Sequence, residues 1–241
     1  MRYGIFSDVH ANLEAMESVV NSLRREKIDN YFCVGDVVGY GANPHECIEA
    51  VKSLGATSIA GNHDWAVIGR VDTRYFNPMA KEAIHWTKRY ALREDMIFLD
   101  NLKLIYKNDD FILVHGTLQE ADYFHYLIDD RQAQETFELM DRDVCFVGHS
   151  HVPGIFTKKE NRIQYSSMSE IYLEDGCQYI INVGSVGQPR DGNPMAAYCV
   201  YDTEAKTIFI KRINYIVEEA QRKIMKAGLP AFLASRLAVG R

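Results

Sequence analysis

The chain has 241 residues, 47% of them hydrophobic and 25% charged, with a formal net charge of −6. Such a composition belongs to a globular protein, and the acidic balance argues against a general nucleic-acid or anionic-membrane binder. It leaves phosphate substrates open, because bound divalent cations invert the local charge. The five cysteines are scattered, form no CxxC pattern and lie mostly in apolar runs, as buried thiols do in a reducing compartment. The N-terminus enters a strand directly, without the apolar region of a signal peptide, and no stretch is long and apolar enough to span a bilayer. The expectation is a cytoplasmic, soluble protein.

In chain order, Tyr3–Ser7 reads as a short strand that ends in Asp8-Val9-His10. Asp8 and His10, two apart after a strand, are placed to face one metal, and Asp8 also suits a simple turn. A helix follows, capped by Asn12, with Leu13, Met16, Val19, Val20 and Leu23 as its buried stripe. Tyr31–Val34 is the second strand and leads into Gly35-Asp36-Val37-Val38-Gly39-Tyr40-Gly41. The two strands and their helix make a right-handed βαβ unit, which puts Asp8 and Asp36 at strand C-termini, where open α/β sheets carry their sites. Asn43 and Pro44 open a helix, with Glu46 completing a capping box and His45 a first-turn surface residue. Gly55 stops it. Thr57–Ala60 is a third strand, followed by Gly61-Asn62-His63-Asp64, where His63 beside Asp64 has the look of a base with an acid.

Asn77-Pro78 starts one helix expected to run to about Arg93. Leu104–Lys107 and Phe111–Val114 form a hairpin whose second strand ends in His115-Gly116. The aromatic stretch 122–130 is a loop, and 130–140 a helix. The apolar strand Val144–Val147 then ends in Gly148-His149-Ser150-His151, two imidazoles two apart between small residues, a pattern suited to a metal. Hairpins follow at 155–165 and 196–213, with the strand Tyr179–Val183 and the Gly- and Pro-rich loop 184–194 between them. A helix at 216–227 and a short one after Pro230 form a C-terminal tail of about 215–241. Without repeats or linkers, 1–241 is expected to be a single domain.

The polar strand-end residues are therefore Asp8, His10, Asp36, Asn62, His63, His115, His149 and His151, and five of the eight histidines are among them. The motifs D-V-H, G-D, G-N-H-D, H-G and G-H-S-H, in that order, resemble the five signature blocks of the calcineurin-like metallophosphoesterase superfamily. The resemblance covers roughly residues 1–215. The strings from Gly35 to Gly41 and from Asn182 to Arg190 are similar to its small bacterial and archaeal branch, commonly described as phosphodiesterases or as relatives of diadenosine tetraphosphatases.

The resemblance implies an α/β fold, a four-layer α-β-β-α sandwich of two mixed sheets, with two divalent metals at the strand ends. One metal would take Asp8, His10, Asp36 and His151. The other would take Asp36, Asn62, His115 and His149, with Asp36 as the bridge. Mixed nitrogen and oxygen ligands favour Mn, Fe, Zn or Ni, with Mn the first expectation in vitro. His63 matches the family histidine that is not a ligand and would stabilise phosphoryl charge or protonate the leaving oxygen, oriented by Asp64. Tyr40, Gln188 and Arg190 are expected to contact the substrate, Arg190 through a guanidinium that grips two phosphate oxygens at once. The implied activity is hydrolysis of a phosphate ester or nucleotide by metal-activated hydroxide, most simply a phosphodiesterase. The alternatives are a dinucleotide polyphosphate hydrolase, a protein phosphatase (for which the chain is short) and a non-catalytic metal-binding scaffold. The expected partner is a small phosphorylated molecule, with no membrane and no general nucleic-acid binding; a homo-oligomer remains open.

Overall fold

A computed structural model describes residues 1–241. In chain order its elements are β1 (Arg2–Phe6), α1 (Leu13–Leu23), β2 (Asn30–Cys33), α2 (Pro44–Ser53), β3 (Thr57–Ser58), α3 (Asn62–Ile68), α4 (Pro78–Tyr90), α5 (Arg93–Asp100), β4 (Ile105–Lys107) and β5 (Ile112–Val114). They continue with α6 (Asp130–Leu139), β6 (Val144–Val147), β7 (Gly154–Lys159), β8 (Arg162–Ser166), β9 (Glu170–Tyr172), β10 (Cys177–Asn182), β11 (Ala196–Asp202), β12 (Thr207–Ile213), α7 (Val217–Lys226) and α8 (Ala231–Ser235). Single 3-10 turns lie at Thr73–Tyr75, Ala121–Tyr123 and Arg236–Ala238.

The strands form two six-stranded mixed sheets, ordered β3-β2-β1-β11-β12-β9 and β4-β5-β6-β10-β7-β8. Each contains a parallel trio, β3-β2-β1 in the first and β5-β6-β10 in the second. Alternation along β1 shows how the layers are built. Tyr3 and Ile5 point into the core between the sheets, where Phe32, Phe111, Phe146 and Tyr201 meet them. Phe6 points the other way, into a second core shared with α1 and α2. The outer face of the second sheet is covered by α6. The result is the expected α-β-β-α sandwich. A further cluster joins α4, α7 and α8 and takes in Tyr40, so the C-terminal helices pack close to the loop after β2. No helix is long and apolar enough to cross a membrane, and all five cysteines are unpaired and buried.

Three local expectations are corrected. The helix expected from Asn77 to about Arg93 is two helices, because Ala91 and Leu92 are extended and the Asp95 carboxylate accepts from the Leu92 amide at 2.8 Å, starting α5 afresh. Asn43 makes no side-chain cap; its amide instead donates to Glu46 at 3.1 Å, and Pro44 alone sets the start of α2. Asn62, His63 and Asp64 form the first turn of α3, with Gly61 as its N-cap. His45 is not a free surface residue, since its Nδ1 lies 2.9 Å from Asp95 Oδ1 and ties α2 to α5. Strand β9, at the edge of the first sheet, had no counterpart in the sequence reading.

The buried Asp95 carboxylate raises the His45 pKa above its usual 6.5. A basic group whose folded pKa is raised adds stability fully below its unfolded pKa and loses it as pH rises through the folded value. The melting temperature of wild type should therefore exceed that of His45→Ala by more at pH 6 than at pH 9. An equal gap at both would reject the ion pair.

Candidate metal centre

The two parallel trios end at the same edge of the sandwich, and the turns after β1, β2, β3, β5, β6 and β10 meet there. These turns share an uncommon backbone. Asp8, His10, Asp36, His149 and His151 all have φ between 48° and 66°, and Tyr40 follows at 59°. Each left-handed non-glycine residue costs on the order of 1–3 kcal/mol, so the surroundings must hold the conformation. They do so by hydrogen bonds from turn to turn. The Asp8 amide donates to Gly35 O and the His10 amide to Asp36 O, both at 3.0 Å. The Gly187 amide and the Ser185 hydroxyl donate to Asp8 O at 2.9 and 2.8 Å, and the Gly148 amide donates to His115 O at 3.0 Å. Gly61 and Gly148 permit the close approach: a Cβ on Gly61 would stand 2.0 Å from Asp36 Oδ1, and one on Gly148 2.5 Å from Asp8 Oδ2.

Three ring nitrogens face backbone carbonyls: His10 Nδ1 to Val38 O at 3.1 Å, His115 Nδ1 to Val34 O at 2.7 Å and His151 Nδ1 to Gln188 O at 2.6 Å. Donation to those carbonyls leaves each Nε2 as a lone pair turned inward. The Nε2 atoms of His10 and His151 stand 3.0 Å apart, with Asp8 Oδ1 3.1 Å from the second. Asp36 Oδ2 lies 3.6 Å from His10 Nε2 and 3.3 Å from His115 Nε2. Of the groups whose ligand atoms are close enough to hold a cation, three lie here, Asp8/His10/His151, His10/Asp36/His63 and Asp36/His115/His149, and Asp36 belongs to two of them. Asp8 Oδ1, Asn62 Oδ1 and His115 Nε2 are buried without a hydrogen-bond partner. Converging lone pairs and orphaned oxygens in a dry site fit divalent cations, and the mixed nitrogen and oxygen donors suit a transition metal.

Burial raises the pKa of both carboxyls, yet the imidazoles outweigh it. His151, with His10 and His115, holds Asp8 well below the usual range, and His115, with His63 and His10, does the same for Asp36. Burial and His115 push His149 down to about 3, and burial and Arg190 push His151 down to about 4. Burial also opposes charge on His115, but Asp36 lifts it to about 9.

His63 lies at the floor of the adjoining cleft, its ring 4.9 Å from that of His10 and 4.5 Å from that of Tyr40, with Nδ1 unpartnered. The expected support from Asp64 is absent. Asp64 accepts from the amides of Gly61 and Val38, at 3.0 and 3.2 Å, because adjacent residues on a helix point in different directions. It pins the turns after β2 and β3 and does not orient the His63 ring. Gln188, Arg190 and Tyr40 do come together: Arg190 donates to Gln188 Oε1 at 2.9 Å and to the Tyr40 hydroxyl at 3.3 Å.

Two features escaped the sequence reading. One is Arg236, from the C-terminal tail, which donates to the same Gln188 oxygen at 2.9 Å; burial and then the Arg190 charge lower its pKa to about 10. The other is an open cleft above His63 and His149, walled by Tyr75, Phe76, Tyr123, Phe124 and Tyr126. Tyr126 lies on the His149 ring with centroids 3.9 Å apart. The run of aromatic residues at 123–126 was a visible signal for the cleft; nothing in the sequence pointed to Arg236.

Residues 1–206 match the calcineurin-like phosphoesterase superfamily domain, and the chain belongs to that family. Family members generally use divalent metal ions and act on phosphate esters. The chain is 40% identical over 241 residues to an uncharacterised protein of Methanocaldococcus jannaschii, covering 98% of this chain and 97% of that one. A metallophosphoesterase from Sphaerobacter thermophilus, of known crystal structure, superposes with a TM-score of 0.87 at 37% identity, over 100% of this chain and 99% of the other. The symmetrical bis(5'-nucleosyl)-tetraphosphatase of Haemophilus influenzae is 32% identical over 154 residues, which span 54% of this chain and 56% of the relative.

If the close approach of β3 to Asp36 sets the site, Gly61→Ala should displace that carboxylate and weaken retention of divalent metal by about 10–100-fold, the range found when the groups supporting ligands are lost. Metal analysis after equilibrium dialysis measures this. Wild-type retention would show that Asp36 is not fixed by this contact.

Proposed function

We propose that the chain is a dinuclear metal-dependent phosphoesterase that cleaves a phosphodiester carrying an aromatic group such as a nucleobase. The observation that carries this reading is the pair of ligand groups meeting at Asp36, whose Oδ2 lies 3.6 Å from His10 Nε2 and 3.3 Å from His115 Nε2. Asp8, His10 and His151 would hold one cation, and Asn62, His115 and His149 the other. A bound pair supplies charge for the phosphoryl oxygens and a nucleophile at neutral pH. The rest falls to the chain. The Nδ1 bonds of His10, His115 and His151 keep the rings from turning as the substrate enters. His63 would donate a hydrogen bond to the developing charge, and burial, which holds its pKa well below 6.5, keeps the ring neutral for that role. The aromatic cleft would take the leaving group, since tyrosine faces stack on bases of any sequence.

A second reading, hydrolysis of a dinucleotide polyphosphate, is favoured by the likeness to the Haemophilus influenzae tetraphosphatase and by the same cleft. That relative is matched over 56% of its length, so its substrate is carried across only as a proposal. A screen of the purified protein against bis(nitrophenyl) phosphate, cyclic nucleotides and diadenosine tetraphosphate, each with Mn, Zn, Ni and Mg, separates the readings. No turnover under any condition would leave a metal-binding scaffold.

Asp36→Asn is expected to lose both cations on dialysis, because the bridge loses its charge; a variant that keeps one full equivalent rejects the bridging role. His63→Ala should keep its metal and lower kcat by about 10²–10⁴, the range for a positioned proton donor or acceptor. An unchanged kcat would remove His63 from the chemistry.

A further inference from the structure

Arg190 and Arg236 come from loops almost fifty residues apart, yet they aim at one atom. Each donates to Gln188 Oε1 at 2.9 Å, and that oxygen belongs to a neutral amide. No carboxylate side chain lies within ion-pair distance of either guanidinium, although most of the chain's other arginines have one. Arg190 also carries a buried Nε with no partner, and its guanidinium sits 5.7 Å over the Tyr40 ring. Two like charges held side by side repel, and two guanidiniums gathered on one neutral amide oxygen form a local positive field that favours an anion.

The arrangement is built, not incidental. Arg236 opens the 3-10 turn after α8, and Leu233, Ala234 and Leu237 around it are buried against α4 and α7. Its Nε is engaged by the Arg241 backbone oxygen, and the tail is latched to the loop after β10 by the Gly192 amide donating to Gly240 O at 2.8 Å. Both guanidiniums stay partly exposed. Gln188 connects this pair to the metal centre, since its backbone oxygen accepts from His151 while its side chain gathers the arginines. Tyr40 touches both sides, with its hydroxyl on Arg190 and its ring 4.6 Å from that of His10.

We propose that Arg190 and Arg236, gathered by Gln188, form an anion subsite beside the metal centre that binds the phosphate adjoining the scissile one, so that the substrate carries two or more linked phosphates. This rests on the phosphoesterase reading above and narrows it. Paired guanidiniums offer forked donors that match phosphate oxygens, and the ligand would replace the shared amide oxygen as their acceptor. Arg236 lies beyond residues 1–206 that match the family domain, so the tail adds one arginine to a subsite whose other members, Gln188 and Arg190, lie within it.

Calorimetric titration with two probes that resist hydrolysis tests this, using the full chain equilibrated with Mn²⁺ at one buffered free concentration. The probes are methylenediphosphonate, with two linked phosphonates, and methylphosphonate, with one. Arg236→Ala should weaken methylenediphosphonate binding by about tenfold or more, the loss of one charged hydrogen-bonding group, and methylphosphonate binding by less than about threefold. Arg236→Lys should recover only part of the loss. Should Arg236→Ala fail to fold, Gln188→Glu carries the test alone: its carboxylate would neutralise the pair, raising the melting temperature while weakening methylenediphosphonate. Equal losses on both probes, no loss on methylenediphosphonate, or a Gln188→Glu protein that binds it like wild type would overturn the subsite. Failure of the phosphoesterase reading looks different: wild type would hydrolyse no phosphate ester with any divalent metal, while the titrations still report on the subsite.

Discussion

Two carboxylates, Asp8 and Asp36, are buried in the middle of this protein, and neither is paired with a lysine or an arginine. A buried anion without compensation is among the most costly features a fold can carry. Here the compensation comes from imidazoles on four separate turns, and the position of each turn follows from that requirement. The left-handed residues, the glycines that admit neighbouring backbones and the turn-to-turn hydrogen bonds all bring neutral or cationic nitrogen within reach of those oxygens. The same demand that makes the cluster expensive for the apo chain makes it receptive to divalent cations.

Much of this design was legible in the sequence because it is local. Asp8, Asp36 and His149 each follow an apolar run by one to three residues, and such a run reads as a strand whatever its neighbours are. Asn12 caps α1 as its position implies, accepting from the Ala15 amide at 3.2 Å. The errors arose where a distant partner decides. The chain breaks at Leu92 with no glycine or proline to mark it, because Asp95 serves the start of α5 with one oxygen and His45 with the other. Asp64 sits next to His63 in sequence and works elsewhere, since its partners are amides on the turns after β2 and β3. The tail could be read as helical from its apolar spacing, but no pattern in it tells that Arg236 meets a loop more than forty residues earlier.

The aromatic cleft and the arginine pair both adjoin the metal-ligand cluster, and Tyr40 touches both. Tyr40 contributes to the packing of the C-terminal helices, to the ring stack beside His63 and to the bond with Arg190. Tyr126 lies flat on His149 at the cleft wall. Whatever enters the cleft therefore meets a floor, Tyr40, His63 and His149, already fixed by packing, while Tyr75 and Tyr123 at its walls stay exposed.

The pairing of β1 carries a consequence for how the chain comes into being. β1 lies between β2 and β11, with Arg2 opposite Asp202, and the Thr203 amide donates to Met1 O at 3.0 Å. β1 must therefore wait for β11, far along the chain, before its second edge is satisfied. Until then Asp8 and its turn, which also depend on Ser185 and Gly187, lack their final hydrogen bonds. Until β11 is made the nascent chain holds an open strand edge, the exposure that invites mispairing and chaperone attention. The turns that hold the metal-ligand cluster close only after Ser185, Gly187 and β11 are in place, so cation capture at this site follows those contacts.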